Sequence, residues 1–216
     1  MSLIRRLFEK LRTAVAAGRR PGFETTAIDW IVAGLGNPGG QYERSRHNSG
    51  FRVLDHLALH KGASFMTHRF DGLAARISFG DTITLLVKPQ TYYNRSGECV
   101  GRLLDHYHVA PERLMVVHDE IDLQSARIRI KRGGGDAGNR GVRSIAEVLG
   151  TAHFIRVRIG VGRPKSDEDA RDHVLKPLSD DEEDVFRETA ERATRAIEAI
   201  VRDGLENAMG KFNQRN

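Results

Sequence analysis

The sequence predicts an α/β fold, a single-domain three-layer sandwich in which helices flank a mixed, mostly parallel central sheet. Three observations predict it. Short apolar runs such as Ile31-Val-Ala33 and Leu114-Met-Val-Val117 have the length of buried strands and stop at turn or polar residues. Amphipathic segments alternate with them, as helices packed on a sheet require. The 216 residues are enough for one domain with a real core and too few for two generous ones.

Residues 1–28 stand apart. Leu3, Ile4, Leu7, Phe8, Leu11, Ala14 and Val15 recur at helical spacing beside Arg5, Arg6, Lys10 and Arg12, and Gly18-Arg-Arg-Pro-Gly22 breaks the pattern. This predicts a basic amphipathic extension and linker. Charges interrupt every apolar core in it, so it does not read as a secretory signal. The domain proper is expected over 29–216.

Within it the first strand is 29–34, an apolar run closed by Gly34. A polar loop leads to a helix over 44–61, whose apolar face is Phe51, Val53, Leu54, Leu57 and Leu59. Strands follow near 73–79 and over 82–87, then a helix over 95–108 and a strand over 113–117. A strand over 126–131, a helix over 138–149 and a strand over 154–161 complete the alternation. The last helix announces itself at Ser179-x-x-Glu182, a capping box whose first turn carries Asp180, Asp181 and Glu183 against the positive helix end. Its stripe of Val185, Ala193, Ile197, Ile200 and Val201 runs to Gly204.

Composition narrows the function. Lys plus Arg number 34 against 29 Asp plus Glu, and the pI near 9.6 suits a polyanionic partner without requiring one. The single cysteine, Cys99, cannot form an internal disulfide, which fits a reducing cytoplasm. No run of 18 apolar residues occurs, so no membrane span is expected.

The loop after the first strand concentrates chemistry. It holds Asn37, Tyr42, His47 and Asn48 between a strand end and a helix start, where α/β proteins place functional groups. Gly34-x-Gly36-x-x-Gly39 matches the dinucleotide fingerprint, but Pro38 has no N–H for a phosphate, and the region near residue 55 that should end a strand with an acid reads as helix.

Among the histidines, His56 and His60 sit four apart on a helix, half of a metal site with no third ligand, and read as a solvated face. His106 and His108 cannot share a face, and His68, His153 and His173 show no partner. His47 differs, because a helix N-terminus and Arg46 both disfavour a proton on the ring and leave it able to accept one. From the residues alone it reads equally as a general base and as a satisfied structural histidine. Asp119, placed just after the Leu114–Val117 run, is the carboxylate that such a base needs to fix its tautomer. Glu120 and Asp122 raise a magnesium alternative, against which stands a simple polar turn.

Asn37 and Asn94 are uncharged amides able to hold a carbonyl or a water, or simple turn residues. Arg127, Arg129, Lys131 and Arg132 on one strand and Arg156 and Arg158 on another place cations on shared faces at a period of two. They read either as a phosphate footprint or as a solvated sheet face. Gly133-Gly-Gly135 predicts a mobile loop before the next helix, with N–H groups free for an anion.

These residues resemble the bacterial-type peptidyl-tRNA hydrolases. The carrying motifs are Gly34-Leu-Gly-Asn-Pro-Gly39, Tyr42, Arg46-His-Asn-Ser-Gly50, Lys88-Pro-Gln-Thr-Tyr-Tyr-Asn-Arg-Ser-Gly97, His118-Asp-Glu-Ile-Asp-Leu123 and Gly133-Gly-Gly135, in the family's order over about residues 30–213. The resemblance implies hydrolysis of the ester between peptide and tRNA, in the cytoplasm, by a monomer, with no metal or other cofactor. It implies His47, Asp119 and Asn37 as catalytic residues, Tyr42 and Asn94 in the substrate cleft, and Lys131 with Arg158 as a clamp on tRNA phosphate. Two rivals are an RNA-binding relative whose activity has decayed and a nucleotide-binding oxidoreductase.

The chain departs from the family pattern at three places. Tyr93 stands where methionine is usual and Arg95 where an aliphatic residue is usual, which predicts an altered cleft wall. Asn139-Arg140 replaces the usual His-Asn, so Asn139 is expected to take over a substrate-binding amide. Arg140 either meets tRNA phosphate or reaches solvent.

Overall fold

The computed structural model describes residues 27–164 and 169–214, so the expected extension, apart from its last two residues, lies outside the described residues. Of those two, Ile28 is already buried in the core, one residue before the boundary drawn from sequence.

Seven strands form one sheet: β1 (Trp30–Gly34), β2 (Met66–His68), β3 (Gly72–Phe79), β4 (Thr82–Pro89), β5 (Leu114–Glu120), β6 (Ile128–Arg132) and β7 (Ile155–Gly160), in the order β2-β3-β4-β1-β5-β7-β6. The four central strands, β4, β1, β5 and β7, run parallel, while β2, β3 and β6 add antiparallel margins. The sheet is therefore mixed, parallel at its centre and antiparallel at both edges.

Helices cover both faces. On one, α1 (Ser49–His60) packs Val53, Leu54 and Leu57 against Val32, Leu86 and Val117. It is joined there by two C-terminal helices, called α5 and α6 below. On the other, α2 (Ser96–Tyr107) and α3 (Arg140–Leu149) pack Val100, Leu103, Val142 and Ile145 on Ile31, Ala33, Leu85 and Val116. Burial of this kind, roughly 25 cal/mol per Å² of apolar surface, drives the three-layer arrangement. After β7 come α4 (Ala170–Leu175), α5 (Asp180–Asp203) and α6 (Leu205–Phe212). The capping box is present at the start of α5, where the Ser179 side chain accepts from the Glu182 N–H and Glu182 reaches back to the Ser179 N–H. Among the described residues no helix is long and apolar enough to cross a membrane.

Three of the boundaries that differ from expectation do so for a clear physical reason. β5 continues to Glu120, because its parallel pairing with β7 persists through Asp119 and Glu120 although the apolar run stops at Val117. Asp119 therefore lies inside a strand and not just after one. α1 begins at Ser49, the preceding residues being taken by short 3₁₀ turns at Gly40–Tyr42 and Arg46–Asn48. α3 begins at Arg140, because the Asn139 side chain caps it by accepting from the Val142 N–H. Strand β2 and helices α4 and α6 are too short to leave a periodic signal.

Two glycines explain how closely the layers approach. A Cβ on Gly50 would lie 2.3 Å from both the Leu35 nitrogen and the Val117 oxygen, so α1 starts in backbone contact with β1 and β5. A Cβ on Gly97 would lie 2.2 Å from the Ser144 carbonyl oxygen, where α2 meets α3. Gly97→Ala is accordingly expected to cost about 1–3 kcal/mol by overpacking, seen as a lower urea midpoint at unchanged slope.

Candidate active site

The ends of β4, β1 and β5 lie side by side, and the helices that follow β1 and β4 leave to opposite faces of the sheet. A crevice opens at such a point. The segments leaving β1 and β4 and the end of β5 supply its side chains.

His47 sits on the 3₁₀ turn before α1, and the turn is fastened from several sides. Asn48, buried, donates to the Asn37 carbonyl at 2.9 Å and accepts from the Asn37 N–H at 2.8 Å. The Arg46 guanidinium pairs with Glu182 of the capping box, and Arg44 bonds Asp180 and Glu183 at 2.9 and 3.1 Å, tying the loop to the start of α5. The imidazole is thus aimed by fixed neighbours. His47 Nδ1 lies 2.9 Å from Asp119 Oδ2, with the His47 side chain 18% and Asp119 4% exposed. Nε2 has no partner among the described residues.

Asp119 has a second partner. The Tyr93 hydroxyl donates to Asp119 Oδ1 at 2.6 Å, and the Tyr93 ring stacks on the His47 ring with centroids 3.5 Å apart and planes 13° from parallel. Burial by itself would raise the Asp119 carboxyl, but the charge and hydrogen bond of His47 and the hydroxyl of Tyr93 outweigh it and hold the carboxyl below its ordinary value. Burial, then the neighbouring Asp119 charge, pushes the Tyr93 phenol well above its ordinary value, so it keeps its proton.

The other expected site residues divide. Asn37 accepts from the Tyr93 N–H through Oδ1 at 3.0 Å, which leaves its NH₂ end without a partner among the described residues. Asn94 is exposed on the turn Tyr93–Arg95 and Tyr42 is half-exposed on Gly40–Tyr42; neither side chain has a hydrogen bond among the described residues. Tyr93, expected on the cleft wall, is instead buried inside the dyad. Asn139, expected to offer a free amide, spends Oδ1 on the helix cap and Nδ2 on the Tyr93 oxygen at 2.9 Å. Arg140 is exposed in the first turn of α3, and no side-chain partner stands beside it among the described residues. Arg95 is occupied by Glu98 at 2.7 and 2.9 Å.

The basic face is real but smaller than expected. β6 and β7 pair Arg129 with Arg158 and Lys131 with Arg156, so these four side chains share one face. Arg156 leaves the set, since it is buried and donates to the carbonyls of Gly135 and Gly134 at 2.7 and 2.6 Å. The Gly134 and Gly135 carbonyls are therefore held from below, and Gly133 spends its N–H on the Phe154 carbonyl. Arg158 bonds Glu120 at 2.7 Å, and Asp122 is held by Arg163 at 2.6 Å. Burial, with Arg156 and Arg158 nearby, lowers the Lys131 ammonium from its ordinary value. Among the described residues no three His, Cys, Asp or Glu side chains group as metal ligands would.

Sequence reasoning passed over His118. It is buried on β5 with Nδ1 2.7 Å from the Asp119 carbonyl, and burial pushes its imidazole down to about 4 despite the Asp119 charge. The signal available was its place between Val117 and Asp119 in a strand.

Fold and crevice together define an α/β protein that presents a carboxylate-held imidazole with one open nitrogen at its strand ends, the equipment of a hydrolase that activates water. Residues 31–216 match the family model for peptidyl-tRNA hydrolase, and the chain belongs to that family. A peptidyl-tRNA hydrolase from Moorella thermoacetica is 42% identical over 188 residues, covering 87% of this chain and 99% of that protein. One from Thermus thermophilus is 46% identical over 184 residues, covering 85% and 96%. The crystal structure of the peptidyl-tRNA hydrolase from Acinetobacter baumannii superposes with a TM-score of 0.81 at 33% identity, covering 88% of this chain and 98% of that one.

Proposed function

We propose that this chain hydrolyses the ester between peptide and tRNA in peptidyl-tRNA and so returns free tRNA to translation. The observation that carries the residue assignment is the 2.9 Å contact of His47 Nδ1 with Asp119 beside an Nε2 that has no partner among the described residues. In this reading Asp119 keeps the ring proton on Nδ1, and Nε2 takes a proton from water. The water oxygen bonds to the ester carbonyl carbon, whose electron pair moves to oxygen. The free NH₂ of Asn37 donates to that oxyanion or to the attacking water. Collapse breaks the bond to the terminal ribose oxygen, which receives the proton from Nε2. These steps use only this chain's groups and water, and they give tRNA and a peptide carboxylic acid, which releases its proton to water and becomes the carboxylate. Asn94 would meet the peptide backbone and Tyr42 would shape the cleft.

The activity belongs, in this reading, to the 29–216 unit acting as a cytoplasmic monomer. The intact dyad favours an enzyme over a decayed RNA-binding relative. A direct test offers N-blocked and free aminoacyl-tRNA to the purified chain. Release from the blocked ester with the free one spared is expected; release from neither would remove the assignment.

For tRNA, Lys131 and Arg158 lie diagonally on one face and would meet phosphate, with Arg140 as a further cation near the crevice. Lys131→Ala is expected to raise KM, keep kcat, and lower the slope of log KM against log salt by about one. An unchanged slope in Lys131→Ala and Arg158→Ala alike would move the phosphate site elsewhere.

A further inference from the structure

The geometry points to Tyr93 as a positioning residue that ends, as a donor to Asp119 Oδ1, the hydrogen-bond chain running from the cap of α3, and so dictates which way an amide at position 119 would face and which imidazole nitrogen of His47 that amide would leave open. The chain can be followed atom by atom. The Val142 N–H at the start of α3 donates to Asn139 Oδ1 at 3.0 Å, which obliges the other end of that amide, the NH₂, to face the crevice. There it donates to the Tyr93 oxygen at 2.9 Å. A phenol has one proton, and with its oxygen accepting from Asn139 that proton goes to Asp119 Oδ1 at 2.6 Å. Asp119 is left with Oδ2 as a pure acceptor, and His47 Nδ1 at 2.9 Å must be the donor. The lone pair is therefore on Nε2.

The ring has little freedom to do otherwise. It is 4% exposed, lies flat on His47, and is backed by Gly141, where a Cβ would come within 2.6 Å of Tyr93 Cε1. Its backbone N–H is held by Asn37. The charged and titratable groups around the carboxylate are few: His47 from the turn, His118 and Glu120 from β5 itself, Arg158 of β7 bonded to Glu120, and Arg156 of β7 near His118. Among these contacts the Tyr93 hydroxyl is the donor on Oδ1, so it is the group that would settle the orientation of an amide in place of the Asp119 carboxylate.

A carboxylate accepts at both oxygens, so wild type hides the effect. An amide at position 119 exposes it. With the Tyr93 proton demanding an acceptor, the carboxamide introduced by Asp119→Asn must turn its oxygen to Tyr93 and its NH₂ to His47. The ring then has to accept at Nδ1 and carry its proton on Nε2, which is the wrong tautomer for taking a proton from water. Removing the phenol proton frees the amide to turn round and restore the right one.

The inference rests on His47 being the base only for its kinetic consequence, so the test reads the tautomer without substrate. Imidazole ¹⁵N shifts are recorded near neutral pH for wild type, Asp119→Asn, and Asp119→Asn with Tyr93→Phe. The expected pattern is proton on Nδ1, proton on Nε2, proton on Nδ1. In single-turnover hydrolysis the double variant should recover at least about tenfold over Asp119→Asn, within the range that a correctly placed base contributes. Asp119→Asn with Asn139→Ser is the second arm. Serine keeps the helix cap but does not reach the phenol, whose proton still requires the amide oxygen, so the ring proton is expected to stay on Nε2; its return to Nδ1 in this arm would put the orienting role in Asn139 and overturn that of Tyr93, even if the phenylalanine variant is unstable. Identical tautomers in Asp119→Asn and in its double variant with Tyr93→Phe would overturn the role of Tyr93. Tautomers that switch as expected while hydrolysis stays flat would leave that role standing and remove His47 as the base.

Discussion

Replacing His47 by Ala is expected to lower kcat on N-blocked aminoacyl-tRNA by about 10²–10⁴-fold, the usual contribution of a positioned general base. Affinity for the tRNA ester should change little, because in the proposed reaction Nε2 acts on a proton that moves only in the transition state. The turn that carries residue 47 is held independently of the imidazole, by Asn48 on both backbone groups of Asn37 and by Arg46 on Glu182. The backbone should therefore survive the change. What is lost structurally is the stack on Tyr93 and the partner of Asp119 Oδ2. A buried carboxylate without that partner costs stability, so melting temperature is measured beside the kinetics. A wild-type rate in a folded variant would remove His47 from the reaction.

Asp119→Asn is expected to be almost as damaging, with a loss of about 10²–10⁴-fold in kcat. From sequence alone an amide at 119 is expected to keep part of the activity, since it can still hydrogen-bond the ring. The hydrogen bond of Tyr93 leads to the opposite expectation. Tyr93 would claim the amide oxygen, the NH₂ would face His47, and the proposed base would be held in the tautomer that cannot accept from water. The pH dependence of stability gives a second check. The folded-state carboxyl lies below its ordinary value, so its stabilisation is present at neutral pH and lost as pH falls through the carboxylate range. Wild type and Asp119→Asn should differ most in Tm near neutral pH and begin to converge only as pH falls below about 4, the ordinary carboxylate value. Equal Tm differences at both ends of that range would contradict the assigned partners.

Much of this was legible in the sequence because it rests on local patterns. The central parallel strands are continuous apolar runs, and the capping box before α5 is a four-residue signature. His47 and Asp119 stood out because one lies in a turn-rich loop and the other closes an apolar run. The rest depends on contacts across the fold. Nothing local says that the Tyr93 ring turns inward, since its hydrogen-bond partner is 26 residues away on β5. Arg156 shares the period of the basic stripe, yet two glycine carbonyls above it draw its guanidinium into the protein. Asn139 carried a usable signal, an asparagine just before a helix, which is a favoured cap. Reading it as a cap removes it from the substrate amides and places it behind Tyr93.

If the imidazole removes a proton from water as the ester is attacked, that proton is in flight in the chemical step. The most direct test is the single-turnover rate of release from N-blocked aminoacyl-tRNA, with enzyme saturating, compared in H₂O and D₂O on the plateau of the pH profile. A clearly slower reaction in D₂O is expected, because the transferred proton moves in the limiting step. Equal rates in the two solvents, with chemistry shown to be limiting, would contradict general-base activation of water by His47.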